Sequence, residues 1–162
     1  MHIIKVESLI DILKSKEAIS KFEEVGTSGT SGKKGVNKSW RLTNDKGEQF
    51  LFKPKEFEHT SRWRYIPAHS QYKREKAFYL LDRKLGFNLV PETFIKKYTH
   101  NDREYIGSCH RWIDAEHIEG NTDSFVNNLD DKQLWEIGLS DLIGGNVDRH
   151  GGNILVKLIE VD

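Results

Sequence analysis

The segment Leu142–Val156, LIGGNVDRHGGNILV, sets Asp148, Arg149 and His150 ahead of Asn153, between two apolar runs. Asp148 and Asn153 are five positions apart. That spacing suits a loop in which a carboxylate meets an incoming hydroxyl while a nearby amide oxygen holds Mg2+ on the phosphates of ATP. His150 is placed either to stabilise charge on a transferring phosphoryl group or to hydrogen-bond Asp148. The same residues also fit a plain turn after a helix, with Asn146 and Asp148 making side-chain turns.

Phosphate chemistry needs donors, and acids that hold a donor or a metal ion in place, and four other places offer one or the other. The stretch Val25–Trp40, VGTSGTSGKKGVNKSW, carries glycines at 26, 29, 32 and 35 with hydroxyl residues between them. Small residues such as Gly29, Ser31 and Gly32 let backbone N–H groups approach phosphate oxygens closely; a flexible linker is the alternative. The spacing is not that of a Walker A loop, and no strand–GxGxxG–helix pattern points to a dinucleotide fold. Lys53 ends the run Phe50-Leu51-Phe52, from which an ammonium can project under the glycine loop or simply reach solvent. Glu75 lies beside the apolar face of a helix. Its neighbours four residues away, Gln71 and Tyr79, are not basic, which favours a distant cation, Lys53. Asp162 follows Leu158-Ile159-Glu160-Val161 and is a candidate second magnesium ligand; the alternative is an acidic residue without such a role.

The elements that must position these groups follow from periodicity. Ser8–Glu24 reads as one or two short helices, with Leu9, Ile12 and Leu13 on one face and Ala18, Ile19 and Phe22 on another. Two antiparallel strands, Lys38–Leu42 and Glu48–Lys53, flank a turn at Asn44–Gly47, and Pro54 ends the second. Glu56–Ser70 is loop. Gln71–Leu85 is a helix with Phe78, Leu81 and Leu85 on one face, Ala77 and Leu80 beside them, and Gly86 as the stop. Leu89–Lys96 and Glu104–Trp112 are strands, and Ile113–Asn128 is an acidic loop. Asp130–Ile143 is a helix capped by Asp130 with Gln133, its face formed by Trp135, Leu139, Leu142 and Ile143. Asn153–Lys157 and Ile159–Val161 form a short hairpin.

Composition narrows the classes. The chain has 162 residues, with 25 Lys+Arg against 25 Asp+Glu, so the net charge is near zero. That disfavours a nucleic-acid binder. A local basic-aromatic reading rests on Lys33, Lys34, Lys38 and Trp63-Arg64-Tyr65, but no fold motif backs it. The single cysteine, Cys109, excludes an internal disulfide and suits a reducing compartment. Without a run of eighteen apolar residues or a signal-peptide pattern, a cytoplasmic protein with no membrane segment is expected.

Taken in order, GTSGTSGKKGVNKSW, FLFKPK, REKAFYLLDRKLGFNLVPETF, GSCHRWIDA and DLIGGNVDRHGGNILV resemble the protein-kinase-like superfamily. The branch they are similar to is that of bacterial proteins related to phosphatidylinositol 3/4-kinases, with HipA-type toxin kinases as cousins. There, as here, aspartate-arginine-histidine precedes the asparagine. The resemblance implies an α+β fold: an antiparallel-sheet N-lobe with one packed helix, and the beginning of a helical C-lobe. It implies residues 1–24 as a helical extension, 25–112 as the N-lobe and 113–162 as a partial C-lobe, curtailed after the metal-binding aspartate. It makes Lys53 the phosphate lysine and Glu75 its helix partner. Asp148 becomes the catalytic acid, and Asn153 and Asp162 the magnesium ligands. Ser108–Trp112, including His110 and Trp112, becomes a hinge whose backbone contacts adenine. The implied activity is ATP- and magnesium-dependent phosphoryl transfer to a hydroxyl, of a protein by preference. The alternative is an inactive nucleotide- or partner-binding module, pseudokinase-like or half of a split kinase completed by another chain.

Overall fold

The computed structural model describes residues 13–14, 18–25, 38–58, 67–117, 129–146 and 154–156. Within them the chain is α+β, with two α-helices and a main sheet of which five strands are antiparallel and one short strand joins in parallel. The central hairpin is formed by β3 (Ser39–Asn44) and β4 (Gln49–Pro54). Its alternating residues put Trp40, Leu42, Phe50 and Phe52 on one buried face. The turn between them is fixed by Asn44, whose side-chain oxygen accepts from the backbone N–H of Lys46 at 3.0 Å and of Glu48 at 2.8 Å.

The helices expected over Ser8–Glu24 are strands where the chain is described. β1 (Leu13–Lys14) pairs in parallel with Lys96–Lys97, and β2 (Ile19–Val25) pairs antiparallel with β3. The register shifts between Ile19 and Lys21, so an extra residue brings Ile19 and Phe22 to the same side although they are three apart. A three-residue apolar spacing imitates a helix, and here a bulge produces it. The expected division after residue 24 therefore cuts a strand.

α1 (Gln71–Leu85) has the expected bounds and ends at Gly86, whose φ of 76° is the left-handed cap conformation. Its inner face differs from expectation. Tyr72 and Asp82 are buried while Leu85 is exposed, and α1 is tied to the sheet through Glu75 and Lys76. At its start, the buried Glu58 carboxylate accepts from the backbone N–H of Gln71 at 2.9 Å and of Tyr72 at 2.6 Å. A distant side chain thus caps the helix.

β5 (Thr93–His100) and β6 (Arg103–Arg111) run later and earlier, respectively, than expected. Leu89 donates its N–H to the Asp82 carboxylate and Arg83 holds the Val90 carbonyl, so residues 87–90 close the helix instead of joining the sheet. Asn101 and Asp102, with φ of 50° and 58°, make the two-residue turn that lets β5 continue to His100.

The six-stranded order is β1-β5-β6-β4-β3-β2. Phe22 of β2 stacks on His100 of β5 at 4.4 Å, and Trp40 meets Tyr105 edge-on at 4.8 Å. Rings on strands that do not pair thus touch, so the sheet is curled around its aromatic core, to which Cys109 and Tyr98 also belong. α1 packs against β5 and β6.

α2 (Asp131–Gly144) carries the expected capping box, Asp130 with Gln133. β7 (Glu116–His117) pairs with β8 (Leu155–Val156). The partner of 155–156 is thus β7; residues 159–161 lie outside the described residues. Trp135, Leu139, Leu142 and Ile143 of α2 are exposed rather than packed. No described helix is long and apolar enough to cross a membrane.

Candidate functional site

On β4 the core-facing positions are Phe50 and Phe52, so Leu51 and Lys53 face the opposite side. Lys53 pairs with Ser108 and Leu51 with His110 across β4 and β6, which puts Ser108 and His110 on that side too. Glu75 of α1 is set over this row.

The Glu75 carboxylate gathers three donors. Oε1 accepts from Lys53 Nζ at 2.8 Å, and Oε2 accepts from Ser108 Oγ and lies 2.9 Å from His110 Nε2. Burial by itself pushes the Glu75 carboxyl up. The Lys53 ammonium and the adjoining His110 outweigh it and hold the group well below the usual carboxylate range. On its other side, His110 Nδ1 is 3.0 Å from Thr93 Oγ1, and Thr93 donates to the Pro91 carbonyl at 2.8 Å. Lys76, one residue after Glu75, donates to the Thr93 carbonyl at 2.7 Å, a second tie between α1 and β5.

Close approach of β4 and β6 depends on Gly107. A Cβ there would lie 2.0 Å from the Lys53 carbonyl oxygen, so any side chain would push the lysine strand away.

The flanks of the glycine-rich segment meet the same row. Val25 pairs with Ser39, and Trp40 pairs with Phe52, so Ser39 stands level with Lys53. Residues 26–37, with Gly29, Ser31 and Gly32, lie outside the described residues. Their two anchoring strand ends are adjacent, at the end of the sheet that carries Lys53.

Asp148, His150, Asn153 and Asp162 also lie outside the described residues, but the flanks of their segment are placed. Gly144 at the end of α2 abuts the Phe78 ring, and its carbonyl accepts from Arg74 at 3.3 Å. Arg74 and Phe78 lie on the flank of α1 beside Glu75. Asn146 is tied back to Asp141 through both backbone and side chain. Beyond the segment, β8 pairs with β7, which follows β6 after a few residues.

The hinge expected at Ser108–Trp112 is corrected. Ser108–Arg111 belongs to a central strand paired on both sides, and the N–H groups of Arg111 and Trp112 donate to Glu92 and Gln49 carbonyls. That backbone is committed within the sheet. The Trp112 ring lies under the Arg41 guanidinium at 5.2 Å, and the His110 ring faces Glu75 and Thr93. The first residues past the paired strand are Ile113–Ala115.

Sequence reasoning did not single out Thr93, Glu58 or Gly107. Ser108 and His110 have the two-residue alternation of a strand, which signals a shared face; only the register shows that the face is that of Lys53.

No protein-family model matches the chain, and no curated protein sequence matches it significantly.

Proposed function

We propose that this protein is an ATP- and magnesium-dependent phosphotransferase of the protein-kinase-like kind, acting on a hydroxyl, by preference that of a protein. The observation that carries this reading is the Lys53–Glu75 pair, 2.8 Å apart, between a strand and the helix that follows it. A strand lysine fixed by a helix glutamate, beside a glycine-rich connection between the two preceding strands, is the arrangement kinases use to hold triphosphate. The element order supports it. β2 and β3 flank the glycine-rich segment, β4 carries the lysine, α1 carries the glutamate, and β5 and β6 complete the sheet.

In this reading Lys53 offers its ammonium to phosphate oxygens, and backbone N–H groups around Gly29, Ser31 and Gly32 add donors. Asp148 accepts the proton of the attacking hydroxyl, and His150 stabilises charge nearby. Asn153 and Asp162 are the side chains that would hold Mg2+, which neutralises developing phosphate charge. Adenine would meet the chain after β6, at Ile113–Ala115, since the backbone before it is used.

A second reading, a nucleotide-binding module completed by a partner chain, is favoured by the exposed apolar side of α2, where Trp135 is 79% and Leu142 78% accessible. Two assays separate the readings. Mg·ATP is expected to raise the melting temperature of the wild type but not of Lys53→Ala. The wild type is expected to transfer radiolabelled phosphate to itself or to a generic protein acceptor, and Asp148→Ala is not. Binding without transfer selects the module; no thermal shift with Mg·ATP removes both.

A further inference from the structure

The last turn of an α-helix leaves carbonyl oxygens without partners inside the helix, and a cation beside them is favourable. α2 has no basic residue in its own last turn. The cation comes from α1, where Arg74 Nη2 donates to the Gly144 carbonyl at 3.3 Å. Phe78 is four residues further on and so on the same side of α1, and it meets the same glycine: a Cβ on Gly144 would lie 2.2 Å from the ring. Both halves of this joint are held. Around Arg74, the N–H groups of Gln71 and Tyr72 bind Glu58, Glu75 accepts from Lys53 and Ser108, and Lys76 donates to the Thr93 carbonyl. Past Gly144, the N–H groups of Gly145 and Asn146 return to the Asp141 carbonyl, and the Asn146 side chain donates to the Asp141 carboxylate at 2.8 Å. An unbroken series of hydrogen bonds and peptide bonds thus runs from Lys53 through Glu75, Arg74 and Gly144 to Asn146. Asp148 follows Asn146 by two residues in the sequence, at most about 7 Å of chain.

We infer that Arg74 is a positioning residue: it seats the end of α2, and with it the chain that leads into the segment of Asp148, on the helix that carries Glu75. One helix then serves both halves of the chemistry. Glu75 fixes the lysine that meets phosphate, and the adjacent Arg74 sets where the segment of the acid begins. The docking of α2 on α1 stands on the geometry; its consequence for phosphoryl transfer rests on the proposed function.

The test uses the full chain, first without nucleotide. Amide hydrogen exchange at Gly145 and Asn146 is expected to be about two- to fivefold faster in Arg74→Ala than in the wild type, the worth of a cation at a helix C-terminus. It is expected to be unchanged in Lys73→Ala, which removes the neighbouring exposed cation of α1. Unchanged exchange in Arg74→Ala, or an equal rise in Lys73→Ala, overturns the inference. With Mg·ATP and a protein acceptor, kcat of Arg74→Ala is expected to fall about ten- to a hundredfold, as it does when a reacting group is misplaced by up to about 1 Å, with Mg·ATP affinity kept within about twofold. Arg74→Lys, which keeps a cation at the end of α2, is expected to recover part of kcat. A wild-type kcat in Arg74→Ala, or a loss that lies in Mg·ATP affinity alone, overturns the positioning role. If the wild type transfers no phosphate while exchange in Arg74→Ala is faster, the proposed function fails and the docking of α2 on Arg74 stands.

Discussion

Lys53, Ser108 and His110 converge on one carboxylate, so removing that carboxylate does more than break an ion pair. The Glu75 carboxyl is held below its ordinary value of 4.5, so its contribution to stability is full above that value and is lost as pH falls through the lower folded-state value. Glu58 has the opposite sign. Burial raises its carboxyl, so its contribution is present below the ordinary value and is lost as pH rises through the raised one. Melting temperature followed from neutral to acidic pH is therefore expected to fall less steeply in Glu75→Gln than in the wild type. Parallel profiles would show that Glu75 is not charged in this network. The pair itself was legible in the sequence, because Glu75 has no basic residue three or four positions away on its own helix, where a local ion pair would form. The other two donors were not, since nothing local in SCHRW says which side of which strand it presents.

The elements hold the site through contacts that periodicity does not report. α1 starts on a cap supplied from beyond its own turn, Glu58, and Glu58→Ala is expected to cost about 1 kcal/mol, the usual worth of a helix cap, read by urea unfolding. An unchanged midpoint would remove Glu58 from the positioning of α1. Gly107→Ala is expected to cost about 1–3 kcal/mol as overpacking and to weaken Mg·ATP binding as well, since the added methyl meets the Lys53 backbone. Full stability and full binding together would refute that close approach. Helices α1 and α2 were readable because their caps and stops lie in the sequence: Gly86 for one, Asp130 with Gln133 for the other. β2 was misread because its bulge gives Ile19 and Phe22 helical spacing. β5 was displaced because Asp82 and Arg83 recruit the residues after α1, a tertiary demand on a stretch that otherwise looks extended.

At the scale of the molecule, the curled sheet is a finished unit and α2 is not. The sheet encloses its own aromatic core, with Phe52 and Leu42 fully buried, and Phe52→Ala is expected to cost about 3–5 kcal/mol. Trp135→Ser, on the exposed side of α2, is expected to change stability by less than about 0.5 kcal/mol. A loss as large as that of Phe52→Ala would mean that this face is covered. The helix end reaches α1 through Gly144, which meets Phe78 and Arg74, so the described residues that precede the segment of Asp148 end on the flank of α1 that carries Glu75. The most direct measurement is a calorimetric titration of Mg·ATP into the wild type, Lys53→Ala and Lys96→Ala, the last on the opposite face of the sheet. The account predicts saturable binding to the wild type and to Lys96→Ala, and none to Lys53→Ala. Equal binding by all three, or none by the wild type, would contradict it.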